Sequence, residues 1–73
     1  MSANNFLAIW KDEDNNFRGY DVSIEGEIEV NPFFYIKKYR PDFVANTIEE
    51  AIKKAEEYMS KEIVEYGYRF VNL

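Results

Sequence analysis

The sequence is short, acidic and free of cysteine and histidine: 73 residues include 14 Asp or Glu, 9 Lys or Arg and a net charge of −5. A chain of this length buries one hydrophobic core, so we expect a single domain over residues 1–73, with a flexible N-terminus at residues 1–5. The missing cysteine and histidine exclude disulfides, thiolate or imidazole metal sites and histidine-based catalysis. The negative charge disfavours direct binding to nucleic acid or to anionic lipid.

No membrane or export signal stands out. The apolar runs are far shorter than the roughly 18 residues of a membrane span. The first residues, MSANN, provide neither a basic nor an apolar leader region. We therefore expect no membrane contact and a cytoplasmic location.

The first half of the chain has the pattern of antiparallel strands. An apolar run at residues 6–10 and a second run from Phe17 flank an acidic, Asn-rich cluster at residues 12–16, which predicts a hairpin. Alternation continues in the second run, where Gly19 indicates a bulge or a close approach by another chain. Residues 27–30 predict a third strand with an acidic outer face, and residues 31–40 fit a helix or, as we prefer, an extended segment.

The strongest helical signal begins at Asn46. Thr47 and Glu50 form the T-x-x-E capping box, and Gly67 is a candidate stop. Residues 68–73 alternate again and predict a last strand. The fold class is therefore α+β, with an antiparallel sheet of three to four strands packed on one amphipathic helix in the order β-β-β-(β)-α-β. The apolar positions at helical spacing are Ile48, Ala51, Ile52, Ala55, Met59 and Ile63.

Two acidic clusters could in principle bind a metal ion or act in catalysis. Residues 12–16 begin like a calcium loop, but Phe17 replaces the required glycine and Ser23 the bidentate glutamate, so an acidic turn explains them better. Residues 25–29 place alternate glutamates on one strand face, which suits a solvated sheet edge better than an acid–base pair. We predict no catalytic residue, metal or cofactor.

Residues 33–40 concentrate aromatic and cationic side chains in an otherwise acidic protein. One interpretation is that the aromatic side closes the core while Lys37, Lys38 and Arg40 keep the other side in water. The segment also fits a protein interface, or a platform on which bases of single-stranded RNA would stack.

Two stretches resemble the small HicB-like antitoxin domains, which have a degenerate RNase H-like fold. Residues 6–17 are similar to the first hairpin of that family, and residues 41–52 to its Pro-Asp turn, short strand and T-x-E-E-A helix start. The chain departs from the family in lacking a Pro-Gly pair after Pro41-Asp42, and residues 25–40 are longer than the equivalent connection. The resemblance implies a non-enzymatic inhibitor that covers the active surface of a small toxin, often a ribonuclease, and self-associates; no DNA-binding module is expected.

Our first hypothesis is an antitoxin-like, protein-binding inhibitor of a basic partner. The alternatives are a phage- or virus-encoded inhibitor that mimics nucleic acid against a host enzyme, and a weak single-stranded RNA binder. In the protein-binding hypotheses, aromatic residues that the core does not need enter pockets of the partner, and glutamates attract its positive charges. The predicted partner-binding residues are Trp10, Tyr20, Glu27, Glu29, Phe34, Tyr35 and Tyr39.

Overall fold

A computed structural model describes residues 4–23 and 38–71 of the chain. The predicted third strand at residues 27–30, and most of the ambiguous segment at residues 31–40, lie outside these residues. No helix among the described residues is long and apolar enough to cross a membrane. The elements in chain order are β1 (Asn5–Lys11), β2 (Phe17–Ser23), β3 (Phe43–Ala45), α1 (Ile48–Lys61) and β4 (Tyr68–Phe70).

The fold is α+β, with a four-stranded sheet in the order β3-β2-β1-β4 and one described helix. The predicted hairpin of β1 and β2 is confirmed, and β3 adds antiparallel to β2. The expectation of a purely antiparallel sheet is wrong, because β4 pairs parallel with β1. Since α1 connects β3 to β4 as a crossover, β4 runs in the same direction as β3, which is also the direction of β1.

The hairpin turn is held by Asp12, as the composition of residues 12–16 predicts. Its carboxylate accepts the backbone N–H groups of Asp14 and Asn16 at 2.8 and 3.0 Å and the Arg18 guanidinium at 2.8 Å, and Asn15 takes the left-handed conformation at φ 64°. Desolvation opposes the shift, yet the bonds from Arg18 and from those backbone groups hold the pKa of Asp12 below its usual value. The carboxylate is thus fully engaged in stabilising the turn.

Alternation along β1 and β2 divides the core between the two faces of the sheet. Leu7, Ile9 and Phe17 lie on the face covered by α1, where Ala51 and Ala55 are buried and allow the helix to approach the sheet closely. The opposite face, also buried, consists of Phe6, Ala8, Trp10, Tyr20 and Val22.

Helix α1 begins where the capping box predicts. The Thr47 hydroxyl accepts the Glu50 backbone N–H at 3.1 Å, and the Glu50 carboxylate accepts the N–H of Asn46, one residue before the cap. The helix ends earlier than predicted, at Lys61. The next residue, Glu62, has an extended backbone, and its N–H makes the last helical hydrogen bond, to the carbonyl of Tyr58. Gly67 therefore lies beyond the helix, in the turn before β4, at φ 70°.

Gly19 is the site of a close approach, made by the Phe43 ring of the neighbouring strand. Gly19 and Phe43 are register partners at the end of the β2–β3 pairing, while the pairing of β2 with β1 continues past Gly19 without a bulge. A Cβ atom at position 19 would overlap the ring of Phe43. The aromatic ring thus covers a glycine on the sheet, an arrangement that fixes the register of the edge strand.

We expect Gly19→Ala to lower the free energy of unfolding by about 1–3 kcal/mol, the usual cost of inserting a methyl group into a filled site. In the Phe43→Ala background the ring is gone, so the same substitution gains roughly 0.5–1 kcal/mol from the better backbone preference of alanine. Urea denaturation of the four proteins measures this double-mutant cycle. An equal effect of Gly19→Ala in both backgrounds would contradict the contact.

Candidate functional site

The described surface displays few large apolar side chains, and two of the most exposed lie close together in sequence. Ile63 is 78% exposed and Tyr66 56% exposed, in the segment that connects α1 to β4. We call residues 62–67 the post-helix loop. Ile63, predicted to lie on the buried face of the helix, is instead outside it because α1 ends at Lys61.

The post-helix loop is bound to the start of β1 through Asn5. The Asn5 side-chain amide donates to the Ile63 carbonyl at 3.0 Å, and its oxygen accepts the Glu65 backbone N–H at 3.0 Å. The backbone carbonyl of Asn5 accepts the N–H of Tyr66, also at 3.0 Å. One residue of β1 therefore holds three consecutive peptide groups of the loop close to the sheet.

Two further contacts bind the second half of the post-helix loop to the start of the described chain. The backbone N–H of Asn4 donates to the Glu65 carboxylate at 2.7 Å, and that of Leu7 to the Gly67 carbonyl at 2.8 Å. Val64 packs inward against the core beneath α1. With Val64 directed inward and the backbone bonded, Ile63 and Tyr66 are presented to solvent from an ordered segment.

Several carboxylates lie in the post-helix loop or in the hydrogen-bond network that holds it. Glu62 and Glu65 are exposed in the loop itself. Asp21 receives hydrogen bonds from Asn5 at 2.6 Å and from the Tyr58 hydroxyl at 2.8 Å, and the backbone N–H of Asp21 donates to the Asp42 carboxylate at 2.8 Å. We call these carboxylates, Glu62 and Glu65 in the loop and Asp21 and Asp42 in the hydrogen-bond network that holds it, the acidic border.

Burial and the neighbouring carboxylates both disfavour ionisation of the Tyr58 phenol. Burial, the hydrogen bond to Asp21 and the negative charges of Asp42, Asp21 and Glu62 raise the pKa of the Tyr58 phenol well above its ordinary value. The phenol therefore remains protonated and donates to Asp21 throughout the neutral range.

The predicted partner-binding residues occupy different environments. Trp10 and Tyr20 are each 2% exposed and stack on one another, with ring centroids 4.7 Å apart, so both rings stabilise the core. Their role in partner binding stays a prediction. Tyr39 is 45% exposed, with the Lys38 ammonium 5.3 Å from its ring centroid. Glu27, Glu29, Phe34 and Tyr35 lie outside the described residues.

Sequence reasoning missed Ile63 and Tyr66 as surface residues. Ile63 continues the helical spacing of Ala55 and Met59, which favoured a place in the core. The available signal was the β-branched pair Ile63-Val64 after Lys61, followed by Gly67, since such a sequence weakens a helix before the glycine.

A second surface, the groove between β3 and α1, has mixed charge. Lys54 crosses it, donating to the Val44 carbonyl at 2.6 Å and lying 3.6 Å from the Glu50 carboxylate. Among the described strands β3 lies at an edge of the sheet, and a lysine at this position satisfies one of its backbone carbonyls and discourages pairing with another strand there. The groove is lined by Asp42, Phe43, Val44, Lys54, Glu57, Tyr58 and Lys61.

Among residues 4–23 and 38–71, no group of three or more acidic side chains is arranged to hold a metal ion. Comparison of the chain with models of protein families, with curated proteins and with solved structures gave no match.

Proposed function

We propose that this chain is a non-enzymatic protein-binding module that inhibits a basic partner protein, in the manner of the antitoxins that its hairpin and helix start resemble. The single observation that supports the proposal most is the post-helix loop, which exposes Ile63 and Tyr66 from an ordered backbone. Anchors of this kind dominate the energy of protein interfaces when they enter pockets of the partner.

The acidic border supports a basic partner. Glu62 and Glu65 flank the anchors, and Asp21 and Asp42 lie beside Tyr58 nearby. Charges at the edge of an interface accelerate the encounter with an oppositely charged protein and discriminate against acidic ones. Together with the net charge of −5, this arrangement favours a basic toxin, or a nucleic-acid enzyme with a basic surface, as the partner.

The order of the loop favours binding for an entropic reason. Immobilising a flexible side chain at an interface costs about 0.5–1.5 kcal/mol, and a segment that is already ordered avoids part of this cost. The hydrogen bonds from Asn5 and the inward packing of Val64 supply that order before any partner arrives.

Affinity capture from a lysate of the source cell tests the proposal with a matched pair of variants. Ile63→Ser removes an anchor of the loop, whereas Ile48→Ser makes the same chemical change at another isoleucine, 47% exposed at the start of α1. We expect the wild-type chain and Ile48→Ser to retain one basic protein in near-stoichiometric amount, and Ile63→Ser to lose it.

Retention of the same protein by all three chains, or of no protein by the wild type at low and moderate salt, would contradict the proposal. The identity of the retained protein separates the two inhibitor hypotheses: a small toxin supports the antitoxin-like function, and a larger nucleic-acid enzyme supports mimicry of nucleic acid.

A further inference from the structure

Asn5 and Asp21 form a hydrogen-bond network that connects the sheet to the post-helix loop. The Asn5 amide nitrogen is shared between the Asp21 carboxylate at 2.6 Å and the Ile63 carbonyl at 3.0 Å. Its amide oxygen accepts the Glu65 N–H at 3.0 Å. In this network Asp21 bonds to Asn5, and Asn5 in turn bonds to the loop.

The Asp21 carboxylate favours the same orientation of the Asn5 amide as the two loop contacts do. A carboxylate accepts hydrogen bonds and cannot donate them, so only the nitrogen side of the amide is compatible with Asp21. With the nitrogen facing Asp21 and Ile63, the oxygen faces the Glu65 N–H, and both loop contacts are satisfied at once. A reversed amide would place oxygen against oxygen at two positions and nitrogen against N–H at the third.

The second oxygen of Asp21 is held from the helix. Tyr58 donates to it at 2.8 Å, while the Asp21 backbone N–H donates to Asp42. The Asp21 carboxylate is thus held by α1, and the backbone of residue 21 is held by the residue preceding β3. The orientation of the carboxylate depends on the packed sheet and helix, which are rigid compared with a loop.

We propose that Asn5 and Asp21 are positioning residues for partner binding, which set the conformation of the post-helix loop and so the presentation of Ile63 and Tyr66. This inference rests on the proposed function for its biological role. Neither side chain needs to contact the partner, since both act through the peptide groups of residues 63 and 65.

The effect on the loop is measurable in the free chain, by backbone ¹⁵N relaxation and amide hydrogen exchange. In the wild type we expect order parameters near 0.85 at Ile63 and Glu65, as for rigid backbone, and below about 0.6 in Asn5→Ala. Exchange of the Glu65 amide hydrogen should accelerate. That of Glu62, whose N–H is bonded to the Tyr58 carbonyl, should not change.

Substitutions at Asp21 separate positioning from general stabilisation. Asp21→Ala removes the acceptor and should loosen the loop to a smaller extent than Asn5→Ala. Asp21→Asn keeps an oxygen for the Asn5 amide and should restore wild-type order. Tyr58→Phe is the graded comparison: it removes the support of the other Asp21 oxygen but leaves the acceptor of the Asn5 amide, so it should loosen the loop less than Asp21→Ala.

Unchanged order at Ile63 and Glu65 in Asn5→Ala would overturn the proposal, as would equal loosening in Asp21→Ala and Tyr58→Phe. These measurements require no partner, so their failure is distinct from failure of the proposed function. With the captured partner, Asn5→Ala should weaken affinity about 3- to 10-fold, the scale of one or two side chains that must be ordered on binding. Undiminished affinity would refute the binding role.

Discussion

Trp10→Ala is expected to lower the free energy of unfolding by about 3–5 kcal/mol, the range observed when a buried tryptophan is truncated. Trp10 is 2% exposed and lies almost parallel to Tyr20, at an interplanar angle of 12°. Since small domains have total stabilities of roughly 5–15 kcal/mol, the variant should be partly unfolded at room temperature or close to that limit. Urea denaturation followed by circular dichroism measures the change.

Trp10→Phe is the control for the stacked ring. It keeps an aromatic face against Tyr20 and a smaller cavity, so it should cost less than half as much as Trp10→Ala. If Trp10→Ala cost less than about 1 kcal/mol, Trp10 would behave as a surface residue, a result that would favour its predicted role as a partner anchor.

Tyr66→Ala should weaken binding to the captured basic partner by about 2 kcal/mol or more, roughly 30-fold, while changing the free energy of unfolding by less than about 0.5 kcal/mol. The ring is exposed, so its removal leaves no cavity, and the bond from the Tyr66 backbone N–H to Asn5 does not depend on the side chain. Titration calorimetry gives the affinity, and urea denaturation gives the stability.

Two comparisons make the Tyr66 result specific. Tyr66→Phe keeps the ring and should retain most of the affinity, whereas Ile48→Ala, at an exposed position elsewhere, should retain all of it. A less than twofold loss in Tyr66→Ala would place the contact surface outside the post-helix loop.

The features that sequence reasoning predicted correctly are local ones. The hairpin turn depends on Asp12 and the groups within six residues of it, and the helix start depends on Thr47 and Glu50. Such interactions are encoded in the neighbouring residues, so periodicity and capping preferences are sufficient to identify them. The α+β class follows from the same signals.

The features that were wrong or missed depend on contacts between distant residues. The parallel direction of β4 follows from its pairing with β1, which is about sixty residues away in sequence. The end of α1 and the exposure of Ile63 are likewise coupled to hydrogen bonds from Asn5, at the other end of the chain. Periodicity alone favoured a longer helix because Ile63 is in phase with its apolar face.

Gly19 lies between these two cases. Its position in an alternating strand indicated a bulge or a close approach by another chain, whereas the register of β3 shows that the approaching group is the ring of Phe43 in the same chain. Trp10 and Tyr20 are a similar case. The high aromatic content fits either partner-binding anchors or core residues, and it is the pairing of β1 with β2 that places both rings on one buried face.

The claim that the post-helix loop binds the partner is tested most directly by nuclear magnetic resonance, with the unlabelled captured partner titrated into the ¹⁵N-labelled chain. We expect the largest amide shifts and intensity losses at residues 62–66, with smaller changes at Asn5 and Asp21. Changes centred on β3 and the first turn of α1, with residues 62–66 unaffected, would contradict it.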